Sequence, residues 1–374
     1  MNPIQCAASI IRRASKERPA DSVLRDELKS HRSLSRGDGA EISRAVFAYF
    51  RWLGWLDPSQ TLETRIVTAL TLAARKAEAP ASFDDSDSRT RAVPAWATEY
   101  IDVSTAWLRS LQQDPRLWLR AKRGQGHALA EKLGECGVPD APALADAVEY
   151  QGTEDLFRAP EFQAGEFELQ DISSQAVGLL CAPQPGETWW DACAGEGGKL
   201  LHLSDLMQNK GLIWASDRAE WRLKKLKFRT ARAKCFNYRA ALWDGGEKLP
   251  TKTKFDGVLV DAPCSGTGTW QRNPHARWTT TPDDVRELAE IQKQLLVNVA
   301  ESVKPGGRLI YSVCTVTRAE TAEVASALRK QCPDFQPLPL TNPLQPDAPA
   351  TSHLWLWPQD CGGNGMFVAA WRRM

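Results

Sequence analysis

The chain has 374 residues, a length that suits two or three domains at about 150 residues each. Hydrophobic residues make up 43% and charged residues 25%, which excludes a fibrous or wholly disordered chain. Lys and Arg outnumber Asp and Glu by 47 − 46 = +1, so a nucleic-acid partner has to be held by a local basic patch, not by net charge. The nine cysteines (Cys6, Cys136, Cys181, Cys193, Cys235, Cys264, Cys314, Cys332 and Cys361) are an odd number without a C-x-x-C pair. That spacing argues against a zinc ribbon, an iron–sulfur site or a disulfide framework, so reduced thiols and no metal are expected. No apolar run reaches signal-peptide length or the ~20 residues of a membrane span, and a soluble, cytoplasmic monomer is the expectation.

Residues 1–78 read as helical. Ile42, Val46, Phe47, Phe50 and Leu53 form an amphipathic stripe along Ala40–Trp55, and Leu62, Ile66, Ala69, Leu70 and Ala73 repeat it along Thr61–Arg75. The basic residues Arg12, Arg13, Lys16, Arg18, Arg25, Lys29, Arg32 and Arg36 suit either a solvated surface or an RNA-facing one. Residues 79–94 are rich in Pro, Ser and Asp without periodicity, the composition of a linker. Residues 95–165 are mixed: strands at Leu117–Ala121 and Gly165–Leu169 flank a helix at Gly126–Gly134.

Beyond Gly165 the texture changes. Short apolar runs at Thr188–Cys193, Gly211–Asp217, Phe255–Asp261 and Gly307–Cys314 alternate with helical stretches at Lys199–Met207, Ala219–Lys234 and Thr281–Val303. This alternation predicts an α/β domain with a doubly wound, mostly parallel sheet, whose ligands sit beyond the carboxyl ends of the strands.

The loop after the first run is D-A-C-A-G-E-G-G-K, Asp191–Lys199. Its glycines let backbone approach a ligand closely. Leu200 breaks a dinucleotide fingerprint, and both Cys193 and Leu200 break a P-loop. Asp217, Asp244 and Asp261 close successive strand-like pieces. Carboxylates repel a pyrophosphate, so the set fits a nucleoside bearing positive charge and no phosphate, as S-adenosylmethionine does.

Cysteines that end apolar strands are most often small buried hydrophobes, the reading for Cys181, Cys193, Cys235 and Cys332. Cys264, in D-A-P-C-S-G-T-G, and Cys314, in S-V-C-T, instead follow strands whose ends should face the crevice. A thiolate there suits nucleophilic attack on a pyrimidine, because adding it to carbon 6 activates carbon 5 toward a methyl donor.

These segments, with R-N-P-H-A-R-W (Arg272–Trp278), L-Q-D-I-S-S-Q (Leu169–Gln175) and G-M-F-V-A-A-W-R-R (Gly365–Arg373), resemble the motifs of the Nop/Sun family of RNA 5-methylcytosine methyltransferases. Ser33–Asp57 is similar to the NusB-like helical domain of bacterial members. The resemblance implies a Rossmann-like methyltransferase domain over 166–374, preceded by a small α+β RNA-binding segment over 95–165, a linker over 79–94 and an all-α NusB-like domain over 1–78. It implies S-adenosylmethionine held by Cys193, Ala194, Gly195, Glu196, Gly197, Gly198, Lys199, Asp217, Arg222, Asp244 and Asp261. Cys314 matches the nucleophile, Cys264 the cysteine that assists release, and Asp261 also lies beside the cytosine. Glu196 stands where the family usually has Pro, S-V-C-T replaces S-T-C-S, and Ala319-Glu320-Thr321 replaces E-N-E.

The implied substrate is RNA, ribosomal in the leading reading and transfer RNA in an alternative. An idle RNA-binding or ribosome-assembly factor that keeps the fold is a second reading, favoured by the extra charge of Glu196. An amino-group methyltransferase is a third, disfavoured because D-A-P-C stands where an N/D-P-P-Y/F motif would serve. Two stretches are expected to meet RNA. One is Arg218–Lys234, with eight Lys or Arg against Glu220 alone; the other is the loop with Trp270, Arg272, His275, Arg277 and Trp278.

Overall fold

The computed structural model describes residues 2–30 and 35–374, so Arg32 and the start of the NusB-like stretch (Ser33 and Leu34) lie outside the described residues, as does the side chain of Arg36. The chain forms two compact units, Met1–Pro115 with Ser265–Val285, and Arg116–Cys264 with Arg286–Met374.

The first unit is built from helices. Pro3–Arg13, Ala20–Ser30, Arg36–Trp52 and Leu62–Glu78 are its longest described elements. Asn2 and Thr61 cap two of them, and Ser35 with Asp38 makes a reciprocal capping box at a third. Their apolar stripes meet in a core that includes Ile10, Val23, Val46, Trp52 and Ile66. Arg12, Arg13, Lys16, Arg18 and Arg25 pair with Glu63, Glu27, Asp284, Asp26 and Asp21, a solvated, charge-balanced surface.

The stretch expected as a linker is largely folded. Asp85–Arg91 is a helix capped by Asp84, with acidic residues in its first turn and Arg89 and Arg91 in its last, and Ala92 and Val93 behind it are buried. A short helix that follows the dipole rule uses the same Asp and Ser residues that mark loops, so composition misreads it.

A larger correction concerns the aromatic–basic loop, which packs into the helical unit instead of presenting its rings for base stacking. Trp270 is wholly buried, stacked on Trp107 at 6.1 Å, and His275 meets the Phe50 ring edge-on at 4.6 Å. Trp278 donates its indole N–H to the Phe50 carbonyl at 2.7 Å, while Arg272 is half-buried. Arg277, also fully buried, donates to the carbonyls of Arg51, Ala92, Leu111 and Trp270 at 2.9–3.4 Å. The first three carbonyls lie at the carboxyl ends of Arg36–Trp52, Asp85–Arg91 and Thr105–Ser110. Helix ends leave such carbonyls unpaired and negatively polarised, and a planar cation with five donors answers both needs. Burial and the neighbouring Arg51 lower the Arg277 pKa to about 9, which leaves it charged at neutral pH.

The second unit contains two sheets. Strands β1 (Leu117–Ala121), β2 (Cys136–Gly137), β3 (Ala147–Tyr150) and β4 (Phe167–Leu169) form an antiparallel sheet in the order β2-β3-β1-β4. The larger sheet holds β5 (Thr188–Asp191), β6 (Leu212–Asp217), β7 (Tyr238–Leu242), β8 (Phe255–Asp261), β9 (Val303–Val313), β10 (Phe335–Pro337), β11 (His353–Leu356) and β12 (Met366–Arg373). Its order is β10-β12-β9-β8-β5-β6-β7, with β11 beside β12. The five strands from β9 to β7 are parallel, and β12 runs antiparallel to β9.

Side chains alternate between the two faces of this sheet. Trp189, Leu259 and Ile310 pack with Val177, Leu203 and Leu226 from helices on one side. Trp190, Val258, Val260 and Tyr311 pack with Leu296, Val299 and Leu328 from helices on the other. The chain leaves β5 for β6 and β7 and then crosses to β8 on the far side of β5. That reversal opens a crevice at the carboxyl ends of β5 and β8, where an open α/β sheet binds its ligand.

Candidate active site

A cavity of about 590 Å³ opens at this reversal point. It is lined by Cys193, Ala194, Gly195, Glu196, Gly198, Lys199, Asp217, Arg222, Asp244, Asp261, Cys264 and Cys314, all expected from the sequence. Gly197 is the exception: it shapes the loop from behind. Its φ of +88° and the Leu226 Cγ only 2.9 Å from where a Cβ would stand leave room for glycine alone.

The glycine loop runs from the end of β5 into the helix Gly198–Leu206. Gly195 N–H donates to Asp217 at 3.1 Å, and Ala219 N–H donates to the other Asp217 oxygen at 2.8 Å. Arg222 lies 3.5 Å from the same carboxylate. The acid that closes β6 is thereby locked against the loop. Glu196, the residue that departs from the family pattern, directs its carboxylate to Lys225 Nζ at 2.7 Å, so its charge is balanced by the following helix, Glu220–Arg232. Asp244 is exposed at the rim and accepts the Gly246 N–H.

At the centre, Lys199 Nζ donates to Asp261 at 2.6 Å, and Ser312 Oγ donates to the other Asp261 oxygen at 2.7 Å. Burial works against the Lys199 ammonium, but Asp261 outweighs it and raises its pKa. Asp261 is therefore oriented by one ion pair and one hydrogen bond, both from elements that also line or flank the cavity.

Cys264 and Cys314 meet with their sulfurs 3.3 Å apart. Hydrogen bonding from Cys264 lowers the Cys314 pKa, against burial and the charge of Asp261, with help from Lys199. Cys193 also lines the cavity, but burial and the acids around it raise its pKa, which makes it a poor nucleophile. Cys181 and Cys235 are buried as expected, whereas Cys193 and Cys332 are half-buried.

A buried polar network supports both cysteine-bearing segments. Gln292 donates to the Pro263 carbonyl, one residue before Cys264, at 2.9 Å, and to Glu320 at 3.1 Å. Glu320, fully buried, accepts from Thr315 and Thr317 just after Cys314, and Tyr311 OH donates to Gln292 and to the Glu320 carbonyl.

Sequence reasoning missed Asp191, the first residue of the glycine motif. It lines the cavity, is wholly buried, and neither carboxylate oxygen has a hydrogen-bond partner. Burial first, and then the charge of Asp261, push its pKa up to about 7. The signal was present, since Asp191 ends a strand as Asp217 and Asp261 do. Leu288, Ile291 and Leu295 form an apolar wall from the helix Pro282–Ala300, and their i, i+3, i+7 spacing was equally readable.

The lining fits a cationic nucleoside. Asp191, Asp217, Asp244 and Asp261 supply acceptors, and the buried Asp191 carboxyl, held close to its titration point, would gain from a cationic ligand. No group of His, Cys, Asp and Glu suited to a metal ion occurs among the described residues, and no described helix is long and apolar enough to cross a membrane.

The chain is similar to known proteins over the part that forms this cavity. A family model described as 16S rRNA methyltransferase RsmB/F matches residues 178–372. A probable ribosomal RNA small subunit methyltransferase B of Bacillus subtilis is 38% identical over 219 residues, covering 57% of this chain and 49% of that protein. The corresponding methyltransferase B of Salmonella typhi is 31% identical over 301 residues, covering 77% of this chain and 67% of that protein. The chain thus spans about half to two thirds of the length of these curated relatives. Among solved structures, PH0851 has the same fold across 100% of this chain and 99% of its own, with a TM-score of 0.80 at 22% identity. NSun6 from Pyrococcus horikoshii covers 72% and 93% at a TM-score of 0.63 and 17% identity. With a family match that spans more than half of the chain and takes in both the glycine loop and the paired cysteines, the chain belongs to the RsmB/F methyltransferase family.

Proposed function

We propose that this chain transfers a methyl group from S-adenosylmethionine to carbon 5 of a cytosine in ribosomal RNA, through a covalent bond between Cys314 and the base. The observation that carries the reading is the pair of thiols 3.3 Å apart in the cavity that also holds the glycine loop and the strand-end acids. The relatives named as ribosomal RNA methyltransferases support the substrate class.

The cofactor supplies an electrophilic methyl group, and the glycine loop with Asp191, Asp217 and Asp244 is the part of the cavity suited to hold it. Cys314, its pKa lowered by Cys264, adds as thiolate to carbon 6 and makes carbon 5 nucleophilic. Asp261, fixed by Lys199 and Ser312, hydrogen-bonds the polar edge of the cytosine. After transfer, a base (solvent water at the mouth of the cavity) takes the carbon-5 proton, the electrons of that bond restore the double bond, and the bond from carbon 6 to sulfur breaks. Cys314 leaves as a thiolate, and the adjacent Cys264 S–H assists by hydrogen-bonding the departing sulfur. The base has to leave its stack for carbon 6 to meet a thiol inside the cavity.

Cys314→Ala is expected to abolish transfer of labelled methyl to ribosomal RNA while leaving cofactor binding by calorimetry intact. Normal turnover by that variant would remove Cys314 from the mechanism. Cys264→Ala is expected to accumulate a protein–RNA adduct stable to denaturing electrophoresis, and its absence during turnover would remove the release role. The Glu196–Lys225 ion pair directs the Glu196 carboxylate to a lysine, which supports the catalytic reading over an idle scaffold.

A further inference from the structure

A second cavity, of about 410 Å³, adjoins the first, and Glu196 lines both. Its floor is fixed: Arg229 and Arg232 both pair with the buried Glu168, and the Arg232 guanidinium covers the Phe162 ring at 3.5 Å. Its rim is different. Phe157 is 59% exposed and Phe228 is 78% exposed, and neither ring is needed to close a core. Phe228 sits on the basic helix Glu220–Arg232, with Lys224 and Lys225 one turn before it on the same face and Lys227 also exposed. Lys227 forms no ion pair among the described residues, and Lys224 pairs only with the exposed Glu220.

An apolar protein segment would strip water from Lys227 with no counter-charge to replace it, and from the exposed Lys224–Glu220 pair, at a large desolvation cost. A polyanion that carries flat aromatic groups meets both features at once: its phosphates pair with ammonium groups and its bases stack on the rings. We propose that this cavity holds an unpaired base of the substrate RNA, stacked against Phe228 and Phe157, while Lys224 and Lys227 take the neighbouring phosphates. The inference rests on the reading of the substrate as RNA. It adds an anchoring subsite, outside the catalytic cavity, that grips single-stranded RNA without reading its sequence.

The test uses the full chain with Phe228→Ala, Phe157→Ala, their combination, and Phe228→Trp. A fluorescent single-stranded oligonucleotide containing one cytosine serves for binding, and ribosomal RNA free of methylated cytosine serves for methyl transfer. Loss of one stacked base is expected to weaken RNA binding and raise the KM for RNA by roughly 5- to 150-fold, with kcat at saturating RNA and cofactor affinity unchanged. Phe228→Trp is expected to keep wild-type affinity. Removing single bases along the oligonucleotide should cost affinity at one position in the wild type and not in the double variant. Affinity and KM within twofold of wild type in the double variant overturn the subsite. A wild type that binds RNA through these rings yet transfers no methyl group leaves the subsite standing and refutes the reaction, and a wild type that binds no RNA refutes both.

Discussion

Asp191 is an acid with no exposed surface, and burial outweighs the stabilising influence of the Leu200 backbone N–H and of Lys199 on its carboxylate. Its folded pKa of about 7 lies above the ordinary carboxylate value, so the native state holds its proton more tightly than the unfolded chain does. Its destabilising contribution is therefore absent at low pH and grows as pH rises from about 4 towards 7. Asp191→Asn is expected to flatten that fall in denaturation midpoints measured from pH 5 to pH 8. A cationic ligand reverses the balance by favouring the carboxylate, so cofactor binding should tighten as pH rises through about 7 in the wild type only. Calorimetry in buffers of different ionisation enthalpy would then detect proton release, and equal release from Asp191→Asn would exclude Asp191 as its source. The candidate residues were picked out in the sequence because they stand at or shortly after strand ends, although Asp191, which also ends a strand, was not. What was illegible is the environment that shifts them: no spacing rule states that Asp191 is wholly buried, or that Cys264 lies beside Cys314 across 50 positions.

At the scale of elements, the apolar runs that end in small or acidic residues correspond to β5, β6, β8 and β9, and the glycine motif joins strand to helix as expected. The connection between the two cysteine-bearing loops was not legible. Gln292 comes from a helix, Tyr311 from β9, and Glu320 from the turn before the helix Ala322–Gln331, so only the folded sheet brings them together. Tyr311→Phe removes a buried donor with two acceptors and is expected to cost about 1–3 kcal/mol of stability. It should also lower kcat with little change in KM for RNA, because it loosens the segments that aim the thiols rather than the RNA contacts. An unchanged kcat in a folded Tyr311→Phe protein would confine the network to structure. Glu320, flanked by Ala319 and Thr321, supplies the buried carboxylate that accepts from Thr315 and Thr317.

At the scale of the molecule, the misread loop carries the lesson about sequence. An Arg beside two Trp and a His has the composition of a base-stacking loop and equally that of a plug. The difference lies in carbonyls near residues 51, 92 and 111, which are far away along the chain. Replacing Arg277 by Met leaves helix-end carbonyls buried without donors and is expected to destabilise the helical unit by about 3 kcal/mol or more. Hydrogen exchange should locate the loss in Arg36–Trp52 and Asp85–Arg91, and protection as in the wild type there would refute the capping role.

That plug also sets an order of events during synthesis. The segment Ser265–Val285 completes a unit whose other residues end at Pro115, so the ribosome makes all of Arg116–Cys264 before the guanidinium arrives. Translation at roughly 5–20 residues per second leaves the early helices waiting for many seconds with an open slot at their ends. The last piece to enter that slot follows directly on Cys264, so the helices close only after the first of the two thiols has been made.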